Sequence, residues 1–197
     1  MTSAGIVAIG TSWGGLAALG RILSDLPKKF AAPVIVIQHR SKDSDDLLAK
    51  LLQDVCDLNV RETEDKDVLQ PATVYVAPSD YHLMVDFGQV SLTTDAPVRY
   101  SRPSIDVAFE SVSRAYGSGA IGVVLTGAND DGSRGLARII ALGGRGIIQD
   151  PATAEIPIMP AAAVKAAPQA EVLQLENIAP RLVAMVGGSV HGNRKAG

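Results

Sequence analysis

Three short, unbroken apolar runs constrain this chain most: residues 5–9, 34–38 and 120–125. Each is too short for an ordinary helix. Each is continuously apolar rather than alternating, which marks a strand covered on both faces. Segments with helical periodicity lie between them. Residues 14–23 place Leu16, Leu19, Ile22 and Leu23 on one face. Residues 132–142 run into Gly143-Gly144, a helix stop. Strands alternating with helices predict a mostly parallel, doubly wound α/β sheet with helices on both faces.

The remaining segments fill in that plan. Residues 44–55 predict a helix with Asp43, Asp45 and Asp46 at its positive end. Residues 59–62 read as an edge strand and 74–77 as a further strand. Residues 81–87 and 89–93 flank Gly88 and predict an appended antiparallel hairpin. Beyond it, helices are expected at 104–115, 160–167 and 178–186, and strands at 147–149 and 172–175. A length of 197 residues suits one domain. That domain is expected over 1–187, with a flexible, glycine-rich tail over 188–197.

Composition sets the function classes. Hydrophobic residues make up 47% and charged residues 20%, as in globular proteins. A net charge of -3 argues against nucleic acid as the main partner. The single cysteine, Cys56, excludes an internal disulfide and is placed on the apolar side of the helix carrying Leu47, Leu48, Leu51 and Leu52. The chain opens without a basic, then apolar, leader, and no apolar run approaches the ~20 residues that span a bilayer. The expectation is a cytoplasmic protein without membrane insertion. The charged stretch 62–67 reads as a solvated loop.

In an open parallel sheet, ligands bind beyond the carboxyl ends of the strands. Gly10-Thr11-Ser12-Trp13-Gly14 follows the first strand, His39 the second, and Thr126-Gly127-Ala128-Asn129-Asp130-Asp131-Gly132 the strand at 120–125. A serine, a histidine and an aspartate thus collect on one edge. The first segment also fits G-x-S-x-G, in which a serine sits on a tight strand-to-helix turn. The N–H of Trp13 is then a natural oxyanion donor. The Trp13 ring either lines the entrance or packs under the first helix.

A nucleotide-binding turn is the alternative for Gly10, Gly14 and Gly15. Ser12 breaks the G-x-G-x-x-G spacing, however, and Gln38-His39 stand where a ribose-binding acid belongs. Asp131 competes with Asp130 for the acidic role, and either would suit a turn or helix cap. His82 reads as a packing or hydrogen-bonding residue, and His191 lies in the tail. Three separated histidines lack metal-ligand spacing, so neither a metal nor a cofactor is expected.

The chain resembles the catalytic domain of chemotaxis protein-glutamate methylesterases, the CheB family. The resemblance runs from Ile9 to about Leu175. It is carried by Ile9-Gly10-Thr11-Ser12-Trp13-Gly14-Gly15, Gln38-His39, Tyr75-Val76-Ala77-Pro78, Arg102-Pro103-Ser104-Ile105-Asp106, Val124-Leu125-Thr126-Gly127, Asp131-Gly132 and Met159-Pro160. It implies a triad of Ser12, His39 and Asp131, the last placed by matching without a gap from both Leu125 and Gly132. It implies hydrolysis of glutamyl methyl esters on the cytoplasmic helices of methyl-accepting chemoreceptors, with deamidation of glutamines in some members. A receiver domain or response regulator in trans is the second partner it implies. Trp13 and Ala128 depart from the family, which often has a small or hydroxyl residue and a methionine there. A serine esterase or amidase of other substrate, or a non-catalytic regulatory module, would share the same scaffold.

Overall fold

The computed structural model describes residues 5–41 and 47–188. In chain order the elements are β1 (Ile6–Thr11), α1 (Gly15–Ser24), β2 (Val34–Gln38), α2 (Leu47–Gln53), β3 (Asn59–Glu62), β4 (Thr73–Val76), β5 (His82–Asp86) and β6 (Gln89–Thr93). They continue with α3 (Ile105–Tyr116), β7 (Ala120–Val124), α4 (Ser133–Ala141), β8 (Arg145–Gln149), α5 (Ile158–Ala166), β9 (Glu171–Leu173) and α6 (Leu175–Gly188). The expected start of the second helix at 44–46, its acidic flank and the tail over 189–197 lie outside the described residues.

Seven strands form one parallel sheet in the order β3-β4-β2-β1-β7-β8-β9. The continuous apolar runs have a direct structural cause. Val7 and Ile9 of β1 face a core built with Leu19, Ile22, Leu52, Ile178 and Leu182. Ile6 and Ala8, on the opposite face, pack with Phe109, Leu136, Ile139 and Met159. Successive strand residues alternate faces, so a strand buried on both sides has no polar position to spare. β5 and β6 pair with each other as a separate two-stranded antiparallel sheet, with Val85 opposite Val90. That hairpin lies against α3, where Ser111 Oγ accepts the Val85 N–H at 2.9 Å.

Several helical and loop details differ from the sequence reading, among them Leu175, which opens α6 instead of ending the last strand. Leu19, Ile22 and Leu23 are buried, but Leu16 is 44% exposed. It sits in the first turn of α1, beside the strand ends rather than over the sheet. On α2, Leu48 and Leu52 face the sheet at i, i+4 spacing, while Leu47 and Leu51 are rotated outward and exposed. Cys56 lies past that helix, half-buried against the core, and its Sγ donates to Leu58 O at 3.8 Å. Burial pushes its thiol up. The 62–67 stretch is only partly solvated. Thr63 is buried, and Glu62 pairs with Arg40.

Candidate active site

β1 and β7 are neighbours at the centre of the sheet, and the chain winds outward from them in opposite directions. That reversal opens a crevice at their carboxyl ends. Ser12 follows β1 within it. The Ser12 N–H donates to Thr126 O at 3.0 Å, and the Ser12 carbonyl accepts from Gln38 Nε2 at 2.7 Å. Both neighbouring strands thus grip the turn. Gly14 takes φ 79°, the left-handed region that favours glycine. Gly10 must lack a side chain, since a Cβ there would lie 2.3 Å from Ile105 Cγ2.

His39 continues β2 and is fixed by its N–H to Thr11 O at 3.0 Å. Its Nε2 lies 2.8 Å from Asp131 Oδ2, with side chains 11% and 0% exposed. An ionised carboxylate only accepts. Nε2 therefore carries the proton, and Nδ1 is left as the basic nitrogen. The pairing in serine proteases is the reverse, with Nδ1 on the aspartate. Asn129 Nδ2 lies 3.4 Å from Nδ1.

Asp131 is held at the N-terminus of α3. Oδ2 also accepts from Ile105 N at 2.7 Å. Oδ1 accepts from Ser104 Oγ at 3.1 Å, Asp106 N at 3.0 Å and Gly132 N at 3.0 Å. Burial pushes this carboxyl up. Hydrogen bonds from His39 and from the backbone of Asp106 and Ile105, with the His39 charge, outweigh that and hold it below its ordinary value. Asp130, the competing candidate, points away and pairs with Arg99 at 2.5 Å.

Ser12 and His39 share two adjoining pockets. One, about 540 Å³, is walled by Arg40, Tyr100, Ser101, Arg102 and Asn129. The other, about 460 Å³, is walled by Trp13, Leu16, Ala17 and Gln38. The Ser12 hydroxyl has no hydrogen-bond partner among the described residues, so the structure joins His39 to Asp131 directly and brings Ser12 beside them. Trp13 is 66% exposed, which removes the alternative of a packed ring. Its N–H makes no hydrogen bond among the described residues and is free for a ligand. Among those residues, no group of His, Cys, Asp or Glu is placed to hold a metal, and no helix is long and apolar enough to cross a membrane.

Composition and periodicity could not reveal the role of Ser104, Ile105 and Asp106. The signal was the Arg102-Pro103-Ser104-Ile105-Asp106 segment, whose Ser104 hydroxyl and Ile105 and Asp106 N–H groups cradle Asp131. His82 is buried as a hydrogen-bonding residue. Its Nδ1 accepts from Ser104 N at 3.2 Å, and its Nε2 lies 3.1 Å from Ala96 O.

A CheB methylesterase family model matches residues 7–182. The chain belongs to the CheB methylesterase family. The CheB methylesterase catalytic domain of Thermotoga maritima superposes with a TM-score of 0.88 at 34% identity, covering 93% of this chain and 99% of that one. The protein-glutamate methylesterase/protein-glutamine glutaminase of Moorella thermoacetica is 41% identical over 93% of this chain and 45% of its own length. A Leptospira interrogans chain provisionally given the same name is 42% identical over 88% of this chain and 90% of its own length. This chain thus spans about half of the Moorella relative and most of the Leptospira one.

Proposed function

We propose that this chain is a serine hydrolase that demethylates glutamyl methyl esters, and deamidates glutamines, on the cytoplasmic helices of chemoreceptors. The observation that carries this reading is the buried His39–Asp131 pair opening onto the pockets that hold Ser12. Family membership and the names of the relatives supply the substrate class. A cytoplasmic location follows from that substrate, and a receiver domain or response regulator is the natural controlling partner.

The chemistry follows from the geometry. Ser12 Oγ attacks the ester carbonyl carbon as His39 Nδ1 takes its proton. The carbonyl π electrons move to oxygen, and the unpaired Trp13 N–H is the donor proposed for the developing charge. The tetrahedral intermediate collapses by breaking the C–O bond, and methoxide leaves with the proton from Nδ1–H as methanol. Water then attacks the acyl-enzyme with the same base, restoring Ser12 and releasing glutamate. With a glutamine substrate the leaving group is ammonia. Asp131 stabilises the imidazolium throughout and stays ionised.

Ser12→Ala should abolish methanol release from methylated receptor membranes while leaving the thermal melt unchanged. The equivalent loss in a serine protease is about 10⁶-fold in turnover. A variant with a tenth of wild-type activity would remove Ser12 from the mechanism. The exposed Trp13 ring at the mouth favours one other reading, a serine esterase of different substrate. Labelling of Ser12 by a phosphonate without methanol release would establish it.

A further inference from the structure

The triad accounts for Ser12, His39 and Asp131, but a second buried carboxylate lies beside them. Asp106 is in the first turn of α3 and 2% exposed. Its Oδ1 accepts the N–H of Gly132 at 3.0 Å and of Gly135 at 2.8 Å, and its Oδ2 takes Arg134 Nε at 3.1 Å. The first N–H groups of a helix lack partners within the helix. Here a carboxylate from α3 serves those at the start of α4. Asp131, one residue before the Gly132 cap of α4, serves those at the start of α3 through Ile105 N and Asp106 N. The α3 aspartate thus serves the start of α4, and the aspartate just ahead of α4 serves the start of α3 beside its Ser104 cap.

The two carboxylates meet on one hydrogen. Gly132 N–H points between Asp106 Oδ1 and Asp131 Oδ1, at 3.0 Å from each. The packing leaves little room for drift. A Cβ on Gly135 would lie 3.2 Å from the Asp106 backbone and 2.5 Å from Phe109 Cβ. A Cβ on Gly132 would lie 2.6 Å from Ile105 Cγ2. Moving Asp106 therefore moves the residue bonded to Asp131.

We propose that Asp106 is a positioning residue of this active site, which through the shared Gly132 N–H holds the Asp131 carboxylate on the His39 Nε2–H axis. Asp106 touches neither substrate nor the reacting atoms. The assignment rests on the triad reading above. It accounts for why the Ser104-Ile105-Asp106 segment sits at the site although none of its side chains faces the pockets. Burial, with the Asp131 charge adding to it, pushes the Asp106 carboxyl up against the backbone bond from Gly135 and the Arg134 charge.

The test uses Asp106→Ala, Asp106→Asn and Asp106→Glu in the full chain. Methanol release is measured over a range of pH. The downfield proton resonance of the His39 Nε2–H···Asp131 bond is measured without substrate. Asp106→Ala should lower kcat by roughly 10–100-fold, as when an orienting outer partner of a histidine ligand is removed. KM should hold, and the acid limb of kcat/KM should move to lower pH as the imidazolium loses its facing carboxylate. Its downfield resonance should move or broaden. Asp106→Asn keeps an oxygen for Gly132 and Gly135 and should restore kcat, acid limb and resonance towards wild type. Asp106→Glu keeps the charge but displaces it, and should behave like the alanine variant. A folded Asp106→Ala with wild-type kcat and resonance would overturn the proposal. If that variant does not fold, a glutamate variant with wild-type behaviour, or an asparagine variant that loses the resonance, overturns it instead. Absence of methanol release from wild type would strike the proposed activity, while the resonance would still decide the role of Asp106.

Discussion

Asp130 and Asp131 are adjacent and chemically identical, yet their surroundings differ entirely. Asp130 is exposed and meets Arg99. Asp131 is buried under the hydrogen bonds of α3 and His39. Asp131→Asn should therefore lower kcat by about 10⁴-fold, as the same change does in a serine protease where the imidazole is left in the wrong tautomer. Asp130→Asn should leave kcat near wild type. A reversed order in methanol release would move the acid to Asp130. The Asp131 carboxyl also carries a pH signature. Its folded-state value lies below its ordinary one, so its contribution to stability is complete above the unfolded-state value of about 3.9. It is lost as pH falls through the folded-state value. The melting-temperature gap between wild type and Asp131→Asn should accordingly close in strong acid and be widest near neutrality. At this scale the residue types were legible in the sequence, because they follow the carboxyl ends of the strands. The choice of Nε2 over Nδ1 for the carboxylate was not, since it depends on where α3 aims its N-terminus.

Among the elements, strands were easier to read than loops. A strand buried on both faces shows itself by composition alone, and β2 at Val34–Gln38 falls where its apolar run does. Helix faces were harder. Leu16 and Leu47 obey the period but line an open pocket beside Gln38, His39 and Arg40 rather than the core. The loop that walls the larger pocket carried no signal at all. Val98 and Ser101 bond to each other through N–H to O contacts of 3.1 and 2.9 Å, closing a two-residue turn. Arg99 and Tyr100 hold φ of 49° and 67° there, positions that glycine or asparagine normally fills. Arg99 reaches Asp130, whereas Tyr100 is fully exposed with a relative accessibility of 104% and loses no packing when truncated. Tyr100→Gly should thus stabilise the fold by roughly 0.5–1 kcal/mol, the relief of a left-handed residue less the extra chain entropy of glycine. A melt that falls would show that the ring holds the turn through contacts of its own.

On the scale of the whole molecule, the doubly wound plan was legible because helices and strands alternate. The order β3-β4-β2 was not, since two short strands can be placed on an edge in either sequence. That plan puts Ser12 where the chain reverses direction, between a polar pocket with Arg40 and Arg102 and an apolar one with Trp13 and Leu16. A methyl ester carried on an amphipathic helix, as proposed above, would set its polar side toward the polar pocket and its apolar side against the exposed indole. Trp13 then contributes to substrate binding more than to the fold. Trp13→Thr should change stability by less than ~1 kcal/mol, as at most exposed positions. The same change should raise KM for methylated receptor membranes by about thirtyfold, the loss of about 2 kcal/mol expected of a tryptophan central to an interface. Turnover at saturation should fall far less, because the oxyanion donor proposed above is the backbone N–H, which survives the substitution. A melt lowered by several kcal/mol, or a fall in kcat with KM unchanged, would place the indole in the core or in the chemistry and end its role as the apolar wall of the substrate site.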